Sequence, residues 1–262
     1  MKISNFKIKQ LYSSIKGIAA VIAISLVMDG CEKPVITSEK FDASNLRVVN
    51  SLRDRTSVKF YLDTFNLSLT GTQNFNTNSV YWVVKSGLRK AKFFSTTTTD
   101  TFATKDIQLD PEKDYTLYLA GDAANPKSWL TEDELQSSVP DKAKIRLANL
   151  SSTSINIDVT IQWVDPTDLN FPVQPEIKIF SDISPESVSD YASVSVATSK
   201  GNSLRRLHDI KVYEAGTSNL LLSVNQYDMR ATSVNTFIIS GLQGGPSSTS
   251  LRMRAVREWL DW

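Results

Sequence analysis

The chain has 262 residues, with 29 Lys and Arg against 28 Asp and Glu, for a net charge near +1. No block of one sign runs along it, which excludes the basic stripe of a nucleic-acid binder. Hydrophobic content of 41% with 9% aromatics suffices for ordinary globular cores, and past residue 28 no apolar run approaches the roughly 18 residues of a membrane span.

At the N-terminus Lys2, Lys7, Lys9 and Lys16 form a basic flank, and residues 18–28 are apolar except for Ser25. Gly30 then precedes Cys31. About eleven apolar residues are too few to span a bilayer, so residues 1–30 are expected to be a secretory signal peptide. Cys31 is the only cysteine in the chain, which excludes an internal disulfide. Met28-Asp29-Gly30-Cys31 resembles the box of a bacterial lipoprotein signal, with Asp29 standing where a small or apolar residue is usual. The resemblance implies cleavage before Cys31 and lipidation of its thiol. Each buried methylene adds about 0.8 kcal/mol of membrane affinity, so several acyl chains make a lasting anchor. The polar residues 31–43 form a tether, and Glu32 resembles a weak export signal to the outer face.

From residue 44 the pattern becomes short runs with period-two alternation, rich in Val, Thr, Tyr and Phe. Strands are predicted at 46–50, 57–62, 80–85, 90–94, 105–109 and 115–121, with turns at Ser86-Gly87 and Asp110 to Asp114. Spacing of about ten residues between turns is the pattern of a β-sandwich, which assigns residues 44–124 to a first domain. Residues 125–141 read as a linker. Thr131 lies three before Glu134, a capping pattern that predicts one helical turn, and Asp133 and Glu134 look solvated.

At residue 145 the opening recurs: Ile145-Arg146-Leu147-Ala148-Asn149 matches Leu46-Arg47-Val48-Val49-Asn50. Later, 235–241 answers 115–121, and both segments end in glycine. The offset grows from 99 to 120 residues, placing about twenty extra residues in a proline-rich insert at 165–190. A second sandwich is therefore expected over 142–257, with strands at 155–163, 191–198, 209–213, 220–224 and 251–256 and a tail at 258–262. The tandem opening, together with Ala143-Lys144 and the Tyr115 to Gly121 strand, resembles the bacterial domain-of-unknown-function family 4397 over most of 44–256. That resemblance implies an exported or cell-surface β-sandwich protein with no assigned activity.

No spacing of residues marks a catalytic, nucleotide-binding or metal site, so neither cofactor nor metal is expected. His208 is the sole histidine and reads as a half-exposed edge residue at the start of a strand. Arg47 and Arg146 recur at one repeat position, either as ligand-binding guanidinium groups or as structural arginines satisfying carbonyls or a carboxylate. Trp82 and Trp163 read as core, whereas Trp129, Trp259 and Trp262 are candidate stacking platforms for a glycan.

The expectation is an all-β chain of two tandem antiparallel, immunoglobulin-like β-sandwich domains, held in the cell envelope at the outer membrane by lipid on Cys31. It would act as a non-catalytic surface binding, adhesion or accessory module for protein or glycan, using the sandwich-end loops and the insert. A carboxylate-based hydrolase and a structural envelope subunit are the alternatives.

Overall fold

The computed structural model describes residues 42–54, 57–68, 72–96, 100–122, 124–135, 139–165, 172–196, 207–246 and 250–258. The signal peptide, Cys31, the tether up to residue 41, Trp259 and Trp262 lie outside the described residues.

The described chain contains strands and no helix. In the first half these are β1 (Ala43–Asn50), β2 (Ser57–Leu62), β3 (Phe65–Asn66), β4 (Gln73–Asn74), β5 (Thr77–Asn78), β6 (Trp82–Lys85), β7 (Gly87–Ser95), β8 (Thr101–Leu109), β9 (Asp114–Asp122) and β10 (Asn125–Glu132). In the second they are β11 (Lys142–Ser151), β12 (Ile157–Val164), β13 (Ile177–Ile183), β14 (Ser187–Val188), β15 (Ala192–Ser195), β16 (Leu207–Glu214), β17 (Leu220–Asp228), β18 (Val234–Gly241) and β19 (Arg252–Arg257).

The duplication extends to the strand order. One sheet of the first half runs β10-β9-β1, with β5 and β6 sharing the far side of β1; the corresponding sheet runs β19-β18-β11, with β14 and β15 beside β11. The other two sheets run β3-β2-β7-β8, with β4 also on β2, and β13-β12-β16-β17. Among the described strands, each sandwich contains one pairing that is parallel rather than antiparallel. Leu46 lies opposite Tyr115 between β1 and β9, and Ile145 lies opposite Asn235 between β11 and β18.

Alternation explains the inner faces. Val58, Phe60 and Leu62 of β2 point inward and pack with Leu46, Val48, Phe93 and Leu117, and Phe60 stacks on Trp82 with ring centroids 5.9 Å apart. Val159, Ile161, Ile210 and Val212 do the same with Ile145, Leu147 and Phe237 in the second half. Each fully buried side chain of this size contributes about 1.5–3 kcal/mol.

β1, β9, β11 and β18 depart from alternation, because nearly all their residues are buried. Burial on both faces of a strand means that its sheet is covered on both sides. The cover is the other half: Val49, Tyr118 and Ala120 pack with Ala148, Leu150, Ile238 and Val256 in a third apolar cluster. From Phe41 onward the described residues form one compact unit.

Two sequence expectations are corrected. Residues 125–132 are not linker with a helical turn but the edge strand β10, paired along its length with β9. Edge strands tolerate Pro126 and polar residues because one side of the ladder stays open. The extra residues of the second copy fall in two places. The 165–190 stretch contains the ladder strand β13 on β12, and a further stretch separates β15 from β16, whose counterparts β6 and β7 are nearly continuous.

Candidate functional site

In β1, Leu46 and Val48 face their own core, so Arg47 must face outward, onto the second half. The parallel partner β9 sets Thr116 opposite Arg47, and Arg47 Nε and Nη2 donate to Thr116 Oγ1 at 3.1 and 2.8 Å. The second half repeats this with Arg146 and Thr236, 3.3 Å apart. Both arginines are about 3% exposed.

Each guanidinium meets a carboxylate from the opposite half. Arg146 Nη2 is bound closely to Asp133 Oδ1, and Arg47 Nη2 closely to Glu258 Oε2. The within-half pairs are longer, at 3.7 Å for Arg47–Asp133 and 3.6 Å for Arg146–Glu258. Thr116 donates to Asp133 Oδ2 and Thr236 to Glu258 Oε1, both at 2.5 Å. Tyr81 OH donates to Asp133 at 2.8 Å and reaches Glu258 at 3.1 Å. Tyr81 and Tyr191 each lie 4.6 Å from an arginine, over Arg47 and Arg146 respectively. Arg146 Nη1 also donates to Thr131 Oγ1 and the Glu132 carbonyl, both at 3.0 Å, and Nη2 to Tyr118 OH at 3.0 Å.

Burial disfavours the charge on both arginines. Glu258, Tyr81 and Asp133 around Arg47, and Tyr118, Asp133 and Tyr191 around Arg146, outweigh it and hold both guanidinium groups above their ordinary value. Burial pushes the Glu258 carboxyl up, with Arg47 working against it. It pushes the Tyr118 hydroxyl up to about 12. Arg254 is the contrasting case: burial, reinforced by the Arg47 cation, lowers it to about 10. Its Nε and Nη1 donate across the junction to the side-chain oxygens of Asn76 and Asn78, at 3.1 and 2.6 Å.

Beside this ionic core lies an open cleft of about 490 Å³ between the end of β10 and the β14–β15 edge. Arg146 and Tyr191 form its floor, and Glu132, Glu134, Lys144 and Asp190 its walls. Lys144 pairs with Glu134, and Tyr191 OH accepts from the Glu134 amide at 3.3 Å. Carboxylates, hydroxyls and an ammonium therefore converge on a floor that the buried network fixes. A second cleft, of about 360 Å³, is mostly apolar and lies between β13 and β15, lined by Trp163, Pro175, Ile177, Ile179, Val194 and His208.

Arg47 and Arg146 come together as buried arginines bound to Glu258 and Asp133, and Arg146 also borders the cleft. Trp129 is half-buried against the apolar junction cluster rather than offered as a platform. His208 is 2% exposed inside β16, between β12 and β17, and is not an edge residue. Asp133, expected to be solvated, is buried, and its oxygens are taken by Arg146, Thr116 and Tyr81. Sequence reasoning missed Asp133 and Glu258 as a repeat pair, although each directly follows the last strand of its half. It also missed the Ser-x-Tyr-x-x-Val spacing of Ser79-Tyr81-Val84 and Ser189-Tyr191-Val194. In both copies that serine accepts a backbone amide of the opening strand at 3.0 Å. Among the described residues no group of three or more His, Cys, Asp or Glu is placed to hold a metal ion.

Three solved structures are similar at low identity. The tip fimbrial protein Mfa3 from Porphyromonas gingivalis with C-terminal truncation is 11% identical, with a TM-score of 0.28, covering 83% of this chain and 100% of that one. A candidate cell adhesion protein from Bacteroides uniformis is 9% identical, with a TM-score of 0.27 and coverage of 82% and 97%. A candidate adhesin from Bacteroides ovatus is 9% identical, with a TM-score of 0.23 and coverage of 81% and 95%. Likenesses this distant carry no argument about activity. No curated protein matches the chain. Residues 44–160, which span the first sandwich and reach into β12, match the model of a domain of unknown function, DUF4397.

Proposed function

We propose that this protein is a lipid-anchored cell-envelope component, attached through Cys31, that acts as a non-catalytic binding or adhesion module for a surface protein or glycan. The observation that carries this reading is the junction cleft of about 490 Å³, in which Glu132, Glu134, Asp190, Lys144 and Tyr191 surround a fixed floor. The cleft is concave, and its polar and charged groups stand on a support held rigid by the buried network, which suits a polar ligand. The 165–190 insert supplies a second contact surface, where Val173 is 89% and Ile177 57% exposed. Such apolar groups set in polar surroundings suit a protein partner.

The anchor and the binding role are tested separately. Cys31→Ser is expected to move the protein from the membrane fraction to the soluble one, and unchanged membrane association would refute lipidation. A soluble fragment from Ser44 is expected to retain a partner in a screen of surface glycans and envelope proteins; retention of none would refute the binding role.

A further inference from the structure

The charges at the junction are wired across it. Arg47 in β1 closes on Glu258, 211 residues further along the chain, and Arg146 closes on Asp133, with all four side chains at most 3% exposed. Separating the halves would remove the close partner of both guanidinium groups and uncover the apolar face of Val49, Tyr118, Ala148 and Ile238. A buried charge left without its partner is far more costly than the loss of an exposed pair. The exposed contrast is present at the same junction: Lys127 and Glu186 also pair across it, but at 45% and 24% exposure.

We propose that the two sandwiches form one cooperative folding unit in which Glu258, placed just after β19, is the latch that ties the last described strand to the first. Local unfolding then cannot open one half and leave the other intact, and the cleft between them keeps a fixed shape. Each half has its own core, so independent opening would be the default without this connection.

The test is hydrogen exchange of the full chain, read peptide by peptide across a urea series. It compares β2 and β7 with β12 and β16. In the wild type the two sets are expected to open at one midpoint. Glu258→Gln is expected to lower the midpoint of the first half and split the two sets. Glu186→Gln is expected to leave them coincident. If Glu258→Gln does not fold, Arg47→Met with Glu258→Leu still decides, because it removes the latch without leaving a buried charge unpaired and is expected to fold with the two sets at separate midpoints. Separate midpoints in the wild type, an unshifted Glu258→Gln, or coincident midpoints in the double variant would each overturn the proposal.

Discussion

The Asp133 side chain is closed off from bulk solvent. Arg146→Met would leave this carboxylate, with a side chain 0% exposed, its hydrogen bonds from Thr116 and Tyr81 but only the more distant Arg47 as a countercharge among the described residues. Breaking a buried pair in this way costs about 3–5 kcal/mol, whereas Lys127→Ala, at the exposed pair, costs under about 1 kcal/mol. Urea denaturation of the two variants measures the difference. Asp158 gives a pH-dependent case. Burial pushes its carboxyl up, but Lys178, at 2.6 Å, and the amides of Asp182 and Gly216 outweigh burial and hold it below the ordinary carboxylate value. A carboxyl held low in the folded state stabilises fully above the unfolded value and loses that contribution as pH falls through the folded one. Asp158→Asn is therefore expected to cost about 2 kcal/mol at neutral pH. Its difference from wild type should shrink below about pH 4, as acid titration of stability would show. The repeated arginines were visible in the sequence but their partners were not. A carboxylate after a strand looks the same on paper whether water or a second sheet faces it.

A turn constraint lies at the end of β9, where the chain turns into β10. Gly121 has φ +85°, and a Cβ there would stand 2.7 Å from the Asn125 carbonyl oxygen. Gly121→Ala is expected to cost about 1–3 kcal/mol and to increase exchange of the β10 amides ahead of those in β9. The equivalent Gly241 also has positive φ, +96°. The matching glycines that end 115–121 and 235–241 thus carried real geometric information, as did the shared openings at Leu46 and Ile145. β10 was illegible for the opposite reason. Pro126 and its charged neighbours are what a linker contains, and an edge strand paired with β9 alone accepts them too. The parallel partnership of β1 and β9 was equally hidden, because alternation shows that a strand exists but not which neighbour it joins.

At the level of the molecule, four sheets enclose three apolar layers, and the middle layer is sealed by the arginine–carboxylate network. The duplication was readable from sequence spacing, yet the face-to-face stacking of the copies was not. Its signature is that β1, β9, β11 and β18 lose alternation, which in a sequence is also the mark of a strand buried inside a single domain. Stacking creates the cleft beside Arg146, and the proposed binding role depends on it. The most direct measurement is affinity for the partner retained by the fragment from Ser44, compared with Glu134→Ala/Asp190→Ala, which changes two cleft walls without touching the buried network. At least a tenfold loss of affinity with an unchanged urea midpoint is the predicted result; full affinity in the double variant would contradict the assignment of the cleft as the contact site.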